Sequence, residues 1–269
     1  MNQYKSISEL KNIAKRQISG HFGFVIGASA IQFIITFICA DFVSSLTQAT
    51  GSVGYVINYI CSFAVQILSF IFQIGLYLIY MKVACNMPST MSDLFYGFKK
   101  YSNTFFIIGF IFCVINAICM IPSDIVTYQF EQALNTISLP SIESLYNPEN
   151  IGNTEQLTLL YSFYSAYINL MLVTCGCSIL YFVVTLPFFP IPYMLIDFPN
   201  YSVKELFKTS LELMKGNMLR YVTLILSFIP IMLLSFVTCG IALIWIIPYM
   251  HMASATFYLD LVSVRNKTI

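Results

Sequence analysis

Every basic side chain of this sequence falls in one of four short stretches, residues 5–16, 82–100, 204–220 and 265–267, with long tracts free of Lys and Arg between them. One tract begins after Arg220 and meets no charge before Asp260. A soluble fold draws on charged residues for about a quarter of its chain. Here they make up 9%, against 58% hydrophobic residues, so the solvent that suits such a chain is lipid. A membrane-spanning helix needs about twenty mostly apolar residues to cross a hydrocarbon core of about 30 Å. Residues 22–40, 55–81, 104–121 and 167–187 supply four such runs. A fifth, 221–259, would reach roughly twice the core thickness as one straight helix. Its VTCGIA segment offers a break, with Gly240 suited to end a helix, and predicts a tight hairpin. The total is six spans.

With six spans, the four basic stretches become the N-terminus, the second and fourth connections and the C-terminus, all on one side. The opposite connections, 41–54, 122–166 and the turn near Gly240, hold no Lys or Arg but do hold Asp41, Asp124, Glu131, Glu143, Glu149 and Glu155. Basic residues stay on the cytoplasmic side of a membrane, which predicts that both termini are cytoplasmic. Polar residues fill the first twenty positions without a small-residue cleavage site, so no secretory signal is expected there.

The basic stretches share a plan. In SISELKNIAKRQISG, Ile7, Leu10, Ala14 and Ile18 recur at helical spacing, with Lys11, Lys15 and Arg16 on the other side. In SVKELFKTSLELMKG, Val203, Leu206, Phe207, Ser210, Leu213 and Met214 oppose Lys204, Glu205, Lys208, Glu212 and Lys215, and Ser202 with Glu205 has capping-box spacing. The shorter MSDLFYGFKKYS sets Leu94, Phe95, Phe98 and Tyr101 against Asp93, Lys99 and Lys100. Such helices are too short and too charged to span, and suit the headgroup layer. Gly20 and Gly216 are placed to end the first and third, where the backbone turns into a span; Arg220 remains at the headgroups.

The fold expected is therefore all-α and polytopic, with six transmembrane helices as three hairpins, each preceded by a cytoplasmic interfacial amphipathic helix. It forms one integral membrane domain, 1–269, with possible repeats at 1–81, 89–196 and 200–260, an outer loop at 122–166 and a cytoplasmic tail at 261–269.

Eight cysteines lie almost wholly in apolar runs, and Cys175-Gly176-Cys177 has no second pair or histidine at zinc-ligand spacing. P-loop, HExxH and GxSxG motifs are absent, and the two histidines, His21 and His251, lie far apart. No catalytic residue, cofactor, metal or nucleic-acid contact is expected. The positions singled out are polar or bent ones within or beside spans. Asp197 could bind a cation or gate a path, or else cap a helix or pair with Lys204 or Lys208. Pro248 and Tyr249 mark a kink, and His251 could carry protons or pack among Ala253, Ser254 and Ala255. Gln66, Gln73, Asn116 and Asn169 could line a polar path or join helices, and Gly23 with Gly27 suggests a close crossing.

The stretch DFPNYSVKELFKTSLELMKGNMLRYVTLILSF, followed by CGIALIWIIPYMHMASATFYLDL, resembles a bacterial multi-spanning membrane family catalogued as domain of unknown function 975. SELKNIAKRQISGH, MSDLFYGFKKY and IPYMLIDFP are similar to it as well. The likeness is most specific at Asp197, Pro199, Ser210, Met214, Gly216, Pro248, Tyr249, Phe257 and Tyr258. His21 and Phe22 depart from it, and the loop 122–166 is particular to this chain. The resemblance implies a helical integral protein of the bacterial cytoplasmic membrane. The first expectation for its role is a non-enzymatic accessory, scaffold or envelope-homeostasis component. A transporter or exporter subunit for a small or amphipathic molecule would need a polar cavity beside His251, Asn116 and Asn169. A third reading has the basic helices engage anionic lipid headgroups. The partners expected are the bilayer and a further membrane protein or a second copy.

Overall fold

The computed structural model describes residues 4–48, 51–99, 102–136 and 154–268; Lys100, Tyr101, Glu143 and Glu149 lie outside the described residues. Among those described the secondary structure is helical, with no strand. Helices α1 (Ile7–Ile18), α2 (Phe22–Gln48) and α3 (Gly51–Ala84) lead to a 3-10 turn, Met91–Phe95, and the single-turn α4 (Tyr96–Lys99). Then come α5 (Ser102–Thr136), α6 (Thr154–Thr185), a 3-10 turn at Leu186–Phe188 and α7 (Ile191–Asp197). The chain closes with α8 (Val203–Met214), α9 (Met218–Leu226), α10 (Ile229–Val237) and α11 (Leu243–Thr268).

Five stretches are long and apolar enough to cross a membrane: Phe22–Val43, Ile60–Ala84, Asn103–Gln132, Tyr161–Asp197 and Met218–Val237. Their surfaces suit lipid, since Phe37, Leu172, Phe236 and Val237 are all more than half exposed. The remaining long helix, α11, does not reach the same apolarity. His251, Ser254, Thr256 and Asp260 dilute it, and every residue from Met252 to Tyr258 is buried. Protein rather than lipid surrounds that part of the helix, so it needs fewer apolar side chains.

Several helices outrun the expected spans. Residues 122–136 and 154–166 continue α5 and α6 instead of forming a separate loop, and α5 passes through Pro122. The 221–259 tract breaks where expected, at Gly240 with φ +87°, and breaks again at Ser227–Phe228, ahead of Pro230.

The chain divides into two compact units. One comprises Val114–Thr185, a pair of helices made by the end of α5 and α6. Within it the Ser123 and Thr174 hydroxyls lie 2.8 Å apart, and Phe130 packs on Phe163 and Tyr167.

The other unit comprises Met1–Cys113 and Leu186–Ile269. In it α1 and α8 have the same local build. Ser6 and Ser202 are N-caps closed by Glu9 and Glu205; Leu10 and Leu206, four residues after each cap, are fully buried; Gly20 and Gly216 end the segments at φ +89° and +79°. Only a residue without Cβ holds that conformation at no steric cost. The middle copy keeps the first part of the pattern, with Thr90, Asp93 and buried Leu94, but winds as a 3-10 turn against α3. The apolar faces of α1 and α8 are covered by protein. Gln17 of α1 bonds to the Ala84 carbonyl and to Thr256, Tyr249 donates to the Lys11 carbonyl, and Ser210 of α8 donates to the Pro187 carbonyl.

The close crossing expected at Gly23 and Gly27 lies elsewhere. A Cβ on Gly23 would meet open space and one on Gly27 only the tip of Met91, whereas Gly75 and Gly97 abut backbone atoms of Leu94 and Ile71.

The caps set a pH dependence. The backbone N–H of Ser6, then its hydroxyl, holds the Glu9 carboxyl below its usual range, and Ser202 does the same for Glu205. A lowered folded value means that the caps favour their helices above the ordinary Glu value of about 4.3 and lose that effect as pH falls through the folded values. Hydrogen-exchange protection of the first turns of α1 and α8 is expected to fall on acidification below about pH 4. Protection unchanged there would contradict the assignment.

Candidate functional site

Two cavities in the larger unit meet at His251. The outer one, about 660 Å³, lies among α2, α3 and α11. Its rim is apolar, with Phe33, Ile244 and Ile247 all exposed, but one wall is polar. Ser29, Gln32 and Thr36 recur along one face of α2, and Ser69 and Gln73 along the facing side of α3. Gln32 donates to Gln73 at 2.6 Å, Ser69 donates to Thr36 at 3.4 Å, and the Ser29 and Tyr80 hydroxyls are 3.3 Å apart. These bonds join α2 to α3, and the same strip gives the cavity a polar side that suits a ligand with one polar part.

The inner cavity, about 300 Å³, is bounded by Tyr77, Phe189, Tyr193, Tyr221 and Ser254, with Met232 and Met250 beside them. His251 lines both cavities and packs against the rings of Tyr77 and Tyr80, at 5.9 and 5.4 Å between centroids. The Tyr193 hydroxyl is buried with no hydrogen-bond partner among the described residues. Leaving such a group unmatched costs about 1–3 kcal/mol.

The structure joins several of the positions read from the sequence. Asp197, the last residue of α7, accepts a 2.8 Å hydrogen bond from Tyr258 rather than pairing with Lys204 or Lys208, and Tyr258 stacks on Tyr193. Pro248 lies inside α11 on the wall of the outer cavity. Its missing N–H leaves the Ile244 carbonyl, at the same wall, without its helical donor. Tyr249 points the other way, to Lys11 and to the Phe228 ring. Pro199 lies in the turn between α7 and α8. Asn116 and Asn169 belong to the smaller unit. The cavity wall instead uses Gln73, which the sequence reading named, with Ser29, Gln32, Thr36 and Ser69, which it did not. Helical spacing of polar residues in apolar runs was the signal available for them.

Gly216 and Arg220 belong to a second polar cluster. Beyond the Gly216 turn, Asn217 is buried and donates to the Tyr4 hydroxyl and the Leu213 carbonyl. Arg220 donates to Asn217, to the Lys5 carbonyl and to Asp260 at 2.9 Å, and lies over the rings of Tyr4 and Phe257. Lys5 reaches Asp260 at 3.6 Å. This cluster fastens the N-terminal segment, the start of α9 and the end of α11 together.

The eight cysteines are free, and among the described residues no three His, Cys, Asp or Glu side chains gather as metal ligands would.

Helices of this length and apolarity, with their large side chains turned outward, define an all-helical, multi-pass membrane protein. Within that class the chain is assigned by sequence. The model of the family described as "Protein of unknown function (DUF975)" matches residues 1–265, and the chain belongs to that family. No curated protein and no solved structure matches it.

Proposed function

We propose that this is a six-span protein of the bacterial cytoplasmic membrane, with both termini in the cytoplasm, that takes up an amphipathic molecule from the bilayer as a transporter or exporter subunit. The observation that carries this reading is the outer cavity. It has an apolar rim, a polar inner strip and a volume of about 660 Å³, suited to a ligand with a chain and a head. An accessory scaffold has no need of it. The role is binding and passage rather than catalysis.

Native mass spectrometry of protein extracted with its lipid tests the binding. An amphipathic adduct is expected on the unmodified chain and lost when Thr36→Phe sets a ring across the polar strip. An adduct retained in that variant would place it elsewhere.

Topology is tested with native cysteines. Cys239, exposed at the Gly240 turn, faces outward in the six-span arrangement, and Cys85, exposed after α3, faces inward. Burial, then the nearby Asp197 charge, raises the Cys85 thiol, so less of it is thiolate at a given pH and it reacts more slowly. In single-cysteine variants a membrane-impermeant maleimide is expected to label Cys239 in intact spheroplasts, and Cys85 only after permeabilisation. Labelling of Cys85 in intact spheroplasts would overturn the orientation.

A further inference from the structure

The inner cavity differs from the outer one in chemistry. Four rings, those of Tyr77, Phe189, Tyr193 and Tyr221, take part in its wall, and no Asp, Glu, Lys or Arg lines it. The Tyr193 hydroxyl is buried and unmatched among the described residues. An anion would find no positive partner in such a wall, and an alkyl group would leave Tyr193 unmatched. A cation is drawn to the negative faces of aromatic rings, most strongly where water is excluded, and methionine sulfur is a polarisable neighbour. A hydroxyl oxygen also accepts an N–H.

We propose that the inner cavity binds the protonated amine of an alkylamine, with the ammonium against the rings, an N–H donated to the Tyr193 oxygen, and the chain passing His251 into the outer cavity. This rests on the ligand-binding reading above and names its ligand class. His251 lines both cavities, so it stands where head and chain join.

The test is competition against radiolabelled dodecylamine at pH 7 on the full chain in phosphatidylcholine nanodiscs, with empty nanodiscs as the reference. Dodecylammonium is expected to bind most tightly, dodecyltrimethylammonium more weakly, and dodecanol and dodecyl sulfate hardly at all. Tyr193→Phe is expected to weaken dodecylammonium by about tenfold, as loss of a hydrogen bond to a charged group would, while leaving dodecyltrimethylammonium unchanged. If dodecanol or dodecyl sulfate competes as well as the amine, and Thr36→Phe still abolishes binding, the cation assignment falls and the cavity stands. If dodecylamine does not bind above empty nanodiscs, the cation assignment falls and native mass spectrometry of the unmodified chain decides the ligand-binding reading; if dodecylamine binds and Thr36→Phe has no effect, both fall. The ligand series on the unmodified chain decides between these outcomes should the Tyr193→Phe chain fail to fold.

Discussion

Arg220→Met is expected to lower the stability of the folded protein by about 3 kcal/mol, because it strands a buried carboxylate. The Asp260 side chain is 2% exposed, and Arg220 is its nearer cationic partner, at 2.9 Å against 3.6 Å for Lys5. Lys5 is half exposed and, with its backbone N–H 3.5 Å from the same carboxylate, keeps part of the compensation, which holds the loss at the low end of the range for a stranded buried charge. The same substitution removes the hydrogen bonds to Asn217 and to the Lys5 carbonyl. Replacing both partners, as Arg220→Met with Asp260→Leu, is expected to recover a large part of the loss, since the cost lies in the unpaired charge and not in the absence of a pair. Thermal unfolding in nanodiscs measures the cycle. A single Arg220→Met variant within about 0.5 kcal/mol of the parent, the range of an ordinary surface change, would refute the account.

Gly75→Ala is the second large effect expected. A Cβ there would lie 2.1 Å from the Leu94 carbonyl oxygen and 2.8 Å from its Cα. Backbone cannot swing aside as a side-chain tip can. One turn earlier on α3, Ile71 meets Gly97 in the same way, with a Cβ on Gly97 placed 2.8 Å from the Ile71 carbonyl oxygen. The two glycines let residues 91–99 lie directly on α3, where Phe72 contacts the rings of Phe95 and Phe98 and Lys82 pairs with Asp93 at 2.7 Å. Overpacking of this kind costs about 3 kcal/mol or more, and the segment is expected to lift off and open Lys99 to trypsin. Gly176→Ala is the control. It sits in α6 with nothing within 4 Å of the added methyl, and a gain of up to about 1 kcal/mol is expected there. Unchanged trypsin resistance in Gly75→Ala would show that the contact is dispensable.

Much of the fold was legible because lipid imposes a simple pattern. Apolar run lengths gave the long helices, and the Ser202–Glu205 spacing gave a cap that the structure contains. Gly20, Gly216 and Gly240 were recognisable as places where a helix must stop. Side-chain depth was less legible. Gly23 and Gly27 have the familiar spacing, yet the intimate contact belongs to Gly75 and Gly97, which lie in different elements and show no common spacing. The site was half visible: His251, Pro248 and Gln73 stood out as polar or bent positions in apolar runs. Ser29, Thr36 and Ser69 did not, because small hydroxyls can bond to their own helix and so carry little signal. Tyr193 looked like any interfacial tyrosine, since only packing shows its hydroxyl to be unmatched.

The composition of α11 bears on how the molecule is made. A segment holding His251, Thr256 and Asp260 gains little by partitioning alone from the translocon into hydrocarbon. It leaves the ribosome after the helices that enclose it, so α2 and α3 can already be seated when it arrives. Its entry is then an act of docking into a slot that α2 and α3 have prepared.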